Sequence, residues 1–219
     1  SGLVIDRVGR VHLAFQGHSQ WQVGGVTLSA PYYTTGVARF DNDGTGLWVT
    51  IIGNQYQVRP KTDGLALDSQ GNCYVSGIFT GTQQFGSTQL ASGGSYDAFL
   101  VRVEDNGTIG WARRAGNSLD DEGYAVAVDD QDRVYWGGFF KRSADLGGVI
   151  LSSSAGDDNE KGFIAHYEAN GTLLWAEQVA GSGSSDNHVY KLEVDRLGGV
   201  FHYGYVRDGY LPGVSGYYL

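Results

Sequence analysis

The residue types that most often do chemistry, carboxylates and histidines, lack the spacing of a catalytic or metal site in this sequence. The run Asp41-Asn42-Asp43-Gly44 begins like a calcium-binding loop, but an EF-hand loop needs a Glu at its twelfth position, where Ile52 stands. The histidines show no metal-ligand spacing, and no G-x-S-x-G motif accompanies them. We therefore expect no catalytic residue, no metal and no cofactor.

One carboxylate recurs at a fixed place. Four segments of the form apolar-x-apolar-Asp align without gaps and end at Asp6, Asp68, Asp129 and Asp195, which are 62, 61 and 66 residues apart. A ring of carboxylates around a channel is one interpretation. The other is that each Asp accepts backbone N–H hydrogen bonds in the turn that follows. Because a residue present in every copy serves the repeat itself, we favour the capping role.

Two further residue types keep their offsets from copy to copy. A Gly follows each repeated Asp after 18 residues, and a Trp follows a turn Gly after four residues in three copies. These residues are Gly24, Gly86, Gly147 and Gly213, and Trp48, Trp111 and Trp175. We interpret the tryptophans as core or inter-repeat packing residues.

Each copy predicts four short strands. The apolar-x-apolar-Asp segments alternate with period two, and the pairs Asn106-Gly107 and Asn170-Gly171 are hairpin signals, since both residue types tolerate positive φ. Repeated four-stranded antiparallel units are typical of a β-propeller. We predict an all-β propeller with blade 1 at 1–54, blade 2 at 64–117, blade 3 at 123–182 and a partial blade 4 at 189–219.

About three and a half blades make an incomplete ring. We expect the remaining blades of a longer chain, or a second subunit, to complete it. The strand register also predicts two sets of buried residues. They are Ile5, Leu67, Val128 and Val194 in the first strands, and Val11, Cys73, Val134 and Val200 in the second strands.

Blade 2 carries a family resemblance. It reads Gly64-Leu-Ala-Leu-Asp-Ser-Gln-Gly-Asn-Cys-Tyr-Val-Ser-Gly77, then Phe85-Gly86, Tyr96-Asp-Ala-Phe-Leu100 and Trp111-Ala112. This resembles the bacterial SBBP-type β-propeller repeat. Blade 3 departs from the pattern at 130–133 and at Lys161-Gly162. The resemblance implies an exported bacterial protein, secreted or at the cell surface, that is typically non-catalytic.

Charge and hydropathy exclude two kinds of partner. The formal net charge is −9 with no basic stripe, which argues against binding a nucleic-acid backbone. No apolar run approaches the roughly 18 residues of a membrane span. The single cysteine, Cys73, cannot form an internal disulfide and is expected to be a small buried residue.

Aromatic residues that break the repeat are the best candidates for ligand contact, because the fold does not require them. They are Trp21, Tyr32, Tyr33, Tyr205 and Tyr210. The sequence thus favours a non-enzymatic extracellular or cell-surface propeller that binds a protein or a glycan, or builds a surface structure. A propeller enzyme with its active site in the channel or in missing blades, and a purely structural scaffold, are the alternatives.

Overall fold

A computed structural model describes residues 2–23, 25–54, 57–154, 156–179, 186–196 and 198–206. Over these ranges the protein is all-β and contains no helix. No helix that could cross a membrane is therefore found in the described part of the chain. The prediction of an all-β protein built from four-stranded antiparallel sheets is confirmed.

The strands form three complete units and part of a fourth. Unit 1 contains β1 (Leu3–Ile5), β2 (Val11–Val23), β3 (Val26–Phe40) and β4 (Gly46–Asn54). Unit 2 contains β5 (Val58–Leu67), β6 (Cys73–Phe79), the hairpin β7 (Thr82–Phe85) and β8 (Thr88–Ala91), then β9 (Asp97–Val103) and β10 (Ile109–Ala115). Unit 3 contains β11 (Glu122–Val128), β12 (Val134–Lys141), the hairpin β13 (Ser143–Asp145) and β14 (Ile150–Ser152), then β15 (Glu160–Tyr167) and β16 (Leu173–Gln178). Unit 4 is the pair β17 (Asn187–Val194) and β18 (Val200–Val206).

In each complete unit the four long strands pair in chain order, each antiparallel to the next. The first strand therefore forms one edge of the sheet and the fourth strand the other. The first strands β5, β11 and β17 begin at Val58, Glu122 and Asn187, which lie six, one and two residues before the blade starts expected from the sequence.

The repeated Asp residues cap the turns between first and second strands. Asp68 Oδ1 accepts the backbone N–H groups of Gln70 and Asn72 at 3.0 and 2.9 Å. Asp129 Oδ1 accepts those of Gln131 and Arg133, both at 2.9 Å. The same bonds are made by Asp6 to Val8 and Arg10, and Asp195 accepts the N–H of Gly199.

The turns between third and fourth strands differ from a short Asn-Gly hairpin in which both residues have positive φ. Of the pair Asn106-Gly107, only Gly107 has positive φ, at +87°. Glu104 N–H bonds to the Thr108 carbonyl at 2.7 Å and Gly107 N–H bonds to the Glu104 carbonyl at 2.8 Å. The turn is therefore a longer loop closed by a left-handed glycine, in which Asn106 accepts the Thr108 N–H with its side chain.

The core lies between neighbouring sheets. One apolar cluster joins units 1 and 2, a second joins units 2 and 3, and a third joins units 3 and 4. In the second cluster, Tyr74 and Trp111 of unit 2 pack with Trp136, Phe163 and Tyr167 of unit 3. The sheets are thus stacked face to face in chain order.

The first strands of all four units line one cavity of about 340 Å³. This corrects the expectation that the third position of each first-strand segment is buried. Leu67, Val128 and Val194 are only half-buried because they line this cavity, and Ile5, which is 63% exposed, lines a second cavity of about 280 Å³ beside the repeated Asp residues. In the second strands, Cys73, Val134 and Val200 are buried as expected, while Val11 is half-buried.

A tryptophan in the fourth strand ties unit 1 to unit 2, and another ties unit 2 to unit 3. Trp48 Nε1 donates to the Asp105 carbonyl at 2.9 Å, and Trp111 Nε1 donates to the Ala169 carbonyl at 3.0 Å. Both acceptors are the second residue of the turn between the third and fourth strands of the following unit. The tryptophans therefore fix the position of one sheet against its neighbour.

Candidate ligand-binding face

Two β-bulges place tyrosines at the end of the sheets where the first strands begin. The register of β11 shifts between Gly123 and Ala125, and that of β17 shifts between Val189 and Lys191. Tyr124 and Tyr190 are the extra residues of these bulges. A bulge re-aims a side chain out of the regular strand alternation, and bulges are common next to functional sites.

The two bulge tyrosines meet across the boundary between units 3 and 4. Their ring centroids are 5.0 Å apart with the planes at 86°. Lys61 of β5 places its ammonium 4.8 Å from the centre of the Tyr124 ring and 2.5 Å from Glu122 Oε2. The starts of three first strands thus combine an aromatic pair, a cation and a carboxylate.

His188 connects Tyr190 to a second carboxylate. Its Nδ1 shares a hydrogen bond of 2.8 Å with the Tyr190 hydroxyl, and its Nε2 bonds to Glu160. The imidazole also packs against Phe139 and Tyr205, with ring centroids 4.6 and 5.6 Å away. These contacts hold His188 in one orientation between aromatic and acidic neighbours.

An open cavity of about 420 Å³, with both polar and apolar lining, adjoins this cluster through Lys141. Its lining residues are Ser95, Ser118, Leu119, Asp120, Lys141 and Asp158. Lys141 Nζ lies 3.2 Å from Glu160 Oε1, so Glu160 touches both the cavity wall and His188. We call the cavity together with Lys61, Glu122, Tyr124, Glu160, His188, Tyr190 and Tyr205 the binding face.

The surroundings of the two bulge tyrosines raise the pKa of their hydroxyls. Burial, with the carboxylate of Glu122 nearby, raises the pKa of Tyr124 far above its usual value. Burial and the charge of Glu160 also raise the pKa of Tyr190. Both hydroxyls therefore remain protonated at physiological pH and can donate or accept hydrogen bonds.

A buried carboxyl group holds the wall of the cavity together. Asp121 is fully buried, and its oxygens accept the backbone N–H groups of Asn117 and Lys141, each at 3.0 Å. Burial raises the pKa of Asp121 to about 7, with the nearby carboxylates of Asp97 and Asp120 adding to the rise. Asp121 thus links the loop before β11 to the end of β12 on the cavity side.

The aromatic residues expected to contact a ligand fall in three places. Tyr205 lies in the binding face and is 43% exposed. Trp21 lies in β2, and Tyr32 and Tyr33 lie in β3, but their side chains are outside the described set. Tyr210 lies outside the described residues altogether.

Sequence reasoning missed Tyr124, Tyr190 and His188. One signal for the two tyrosines was present, since each stands five positions before the repeated Asp of its copy. Their meeting could not be inferred from that offset, because it depends on bulges in two strands that do not pair with each other.

The repeated glycines that the structure describes lie in turns. Gly86 has a φ of +58° between β7 and β8, and Gly147 has a φ of +86° between β13 and β14. Gly24 and Gly213 lie outside the described residues.

The Asp41 and Asp43 carboxylates, at the start of the calcium-like run, accept the N–H groups of Asn42 and Thr45, both at 2.8 Å. Within the described ranges, no three His, Cys, Asp or Glu side chains come together as a metal site.

Comparison with known proteins adds no family assignment: no protein-family model matches the chain, and a search of curated proteins finds no similar sequence.

Proposed function

We propose that the chain is part of a non-enzymatic β-propeller that binds a glycan at the binding face. The propeller interpretation is supported by the stacked four-stranded sheets and by the shared cavity that the first strands of four units line. The resemblance to SBBP-type repeats supports the same interpretation and a place outside the cell.

The observation that carries the glycan proposal is the pairing of the bulge tyrosines next to a cavity of mixed polar and apolar lining. Sugar rings present apolar C–H faces and many hydroxyl groups, so their sites combine aromatic surfaces with fixed donors and acceptors. Tyr124 and Tyr190 supply the rings, while Glu160 and Lys141 supply an acceptor and a donor at the cavity edge. A cavity of about 420 Å³ is within the size range of small-ligand pockets.

The experiment is a glycan array probed with the full chain, followed by calorimetry on the strongest hit. We expect Tyr190→Ala to weaken binding roughly tenfold or more, about 1.4 kcal/mol. Tyr190→Phe keeps the ring but removes the hydrogen bond to His188, and it should weaken binding less. Leu174→Ala is the control, since Leu174 lies on β16, is not part of the binding face and is 44% exposed.

Two results would contradict the proposal. Wild-type chain that binds no glycan on the array would leave the scaffold alternative as the better account. Glycan binding that Tyr190→Ala does not weaken, in a variant whose circular dichroism is unchanged, would place the site elsewhere.

A further inference from the structure

Two buried carboxyl groups from neighbouring parts of the chain approach each other beside Gly116. Asp97 begins β9 of unit 2, Asp121 lies just before β11 of unit 3, and both residues are fully buried. A Cβ atom added to Gly116 would lie 2.6 Å from Cγ and 2.7 Å from Oδ2 of Asp97, and 2.8 Å from Oδ2 of Asp121. The two carboxyls therefore border the same small space, which a glycine leaves free for them.

The charges beside this pair do not balance two carboxylates. Arg114 of β10 places Nη1 3.5 Å from Asp97 Oδ2, and no other Lys, Arg or His of the described chain forms an ion pair with either carboxyl. Asp120, next to Asp121, adds negative charge. Because full ionisation would leave an uncompensated buried charge, the pair favours holding a proton. Burial is the main reason that the pKa of both groups is raised, that of Asp121 to about 7.

The charged groups on the neighbouring strands are engaged elsewhere. Lys141 of β12 gives only its backbone N–H to Asp121, because its ammonium lies 3.2 Å from Glu160 Oε1. Asp145 of β13 donates its backbone N–H to the Gly116 carbonyl at 3.2 Å, and its carboxylate caps the turn between β13 and β14. Neither strand therefore supplies a cation that could replace the proton of the pair.

Each carboxyl holds a part of the cavity wall through backbone N–H groups. Asp97 accepts those of Gly93 and Gly94 at 3.1 and 3.2 Å, which fixes the loop 92–96. Asp121 fixes the loop 117–121 and the end of β12 in the same way. Five of the six residues that line the 420 Å³ cavity lie on these segments, namely Ser95, Ser118, Leu119, Asp120 and Lys141.

The two loops are also packed directly against each other. A Cβ atom added to Gly93 would overlap the backbone carbonyl of Asn117, and one added to Gly94 would overlap that of Leu119. Each loop is therefore held in place by one carboxyl of the pair and by the other loop.

We propose that Asp97 and Asp121 share one proton and act as a pH switch on the shape of the cavity. While the proton is held, the loops 92–96 and 117–121 stay together. Loss of the proton leaves two carboxylates close together, and their repulsion separates the loops and loosens the wall at Lys141. The closed state binds the proton more tightly than the open state, so a rising pH favours opening. The switch acts on the cavity itself and does not depend on the ligand being a glycan.

The first measurement is a titration of the carboxyl carbons of the full chain by ¹³C NMR, assigned through their bonds to the neighbouring carbons. We expect the resonances of Asp97 and Asp121 to share a step near about pH 7, because one proton serves both groups. Exposed carboxyls should finish titrating below about pH 5. Ordinary titration of both groups, or a step near pH 7 in one resonance without the other, overturns the proposal.

The second measurement is amide hydrogen exchange, which reports opening of the loops. Relative to the exchange rate of an unfolded chain at each pH, the protection of the Gly94 and Asn117 N–H groups should fall at least about tenfold between about pH 6 and about pH 8. The Asn72 N–H, which the Asp68 carboxylate accepts at the other end of unit 2, is the internal control and should keep its protection. Protection that stays constant at Gly94 and Asn117 contradicts the switch.

A pair of variants locates the proton. Asp121→Asn keeps the size of the side chain but cannot titrate, so the pH dependence of exchange should disappear. Asp120→Asn is the matched control, since Asp120 is half-buried beside Asp121 and lines the same cavity, and here the pH dependence should remain. The reverse result would assign the proton to Asp120 and overturn the proposal. All of these readouts use the chain without a ligand, so a failure to bind glycans leaves them unaffected.

Discussion

The indole ring of Trp111 lies directly against Gly171 in the next unit. A Cβ atom added to Gly171 would come within 2.9 Å of the ring atoms Cδ2 and Cε2. Gly171 also has a φ of +82°, and its carbonyl accepts the Nε–H of Arg113 at 2.8 Å. Backbone conformation and inter-unit contact therefore both require glycine at this position.

Gly171→Ala should destabilise the protein more than Gly44→Ala. Gly44 occupies the same turn position in unit 1 with a φ of +86°, but a Cβ there has no atom within 4 Å. Both variants incur the cost of positive φ, about 1 kcal/mol, and only Gly171→Ala adds a clash of roughly 1–3 kcal/mol. Urea unfolding of both variants measures the difference. Equal losses would mean that the protein accommodates a Cβ at position 171 without a cost from the Trp111 ring.

Trp111→Phe and Trp175→Phe should also differ. The first variant loses a hydrogen bond and leaves the Ala169 carbonyl without its donor, which should lower the free energy of unfolding by roughly 1–2 kcal/mol. The second removes an indole N–H that has no acceptor among the described residues, so it loses only part of the ring packing against Tyr135 and His166 and should cost less than the first. Urea midpoints at matched m-values decide the comparison. A larger loss for Trp175→Phe would contradict the assignment of these contacts.

The contribution of Asp121 to the free energy of unfolding should decrease as the pH rises from about 4 to about 7. Burial raises its pKa to about 7, against 3.8 for the unperturbed group, so the folded state holds a proton that the unfolded state has released. The stabilisation is complete below about pH 4 and is lost as the pH rises to about 7. It amounts to at most about 4 kcal/mol. The raised pKa of Asp97, also caused mainly by burial, acts in the same direction.

The measurement must compare wild type with Asp121→Asn, because other groups titrate in the same window. Burial lowers the pKa of His12 and His166 to about 4, and their contribution rises with pH where that of Asp121 falls. The stability of wild type relative to Asp121→Asn should therefore decrease between pH 4 and pH 7. Thermal unfolding at several pH values shows this difference. A difference that is constant with pH would contradict the prediction.

Asp129→Ala and Asp130→Ala test the role of the repeated carboxylate. Asp129 is buried and accepts the N–H groups of Gln131 and Arg133, whereas Asp130 beside it is exposed. The first variant should lose roughly 1–3 kcal/mol of unfolding free energy, and the second should stay within about 0.5 kcal/mol of wild type. Denaturant titration measures both. Similar losses in the two variants would show that turn capping is not what Asp129 contributes.

Glycan binding should depend on the bulge tyrosines and not on the repeated Asp residues. Tyr124→Ala removes the ring that Tyr190 and Lys61 contact and should weaken binding of the best array glycan roughly tenfold or more. Asp68 lies at the opposite end of the first strands, so Asp68→Asn should leave binding unchanged. Calorimetry on the two folded variants gives both values. Loss of binding in Asp68→Asn but not in Tyr124→Ala would place the glycan site at the end of the first strands where Asp68 lies, and not at the binding face.

The sequence alone determined the four long strands of each complete unit, the turns that join the first to the second and the third to the fourth strand, and the order of the units, but not the short hairpins β7–β8 and β13–β14. These features depend on residues close together in the chain, such as Asp68 with Asn72 or Glu104 with Gly107, and such local relations repeat as fixed offsets. The second strands lie where the sequence predicted them, and Cys73, Val134 and Val200 are buried; nearly every other residue of β6 and β12 is buried as well, because these strands are covered on both faces.

Only the tertiary structure decided what the first strands face and which aromatic residues meet. Ile5 has the alternation of a buried strand residue, yet it faces a cavity, because its strand forms the edge of its sheet. Tyr124 and Tyr190 come together through bulges in the first strands of two different units. Alternation reports which face of a strand a residue occupies, whereas packing between units determines what that face meets.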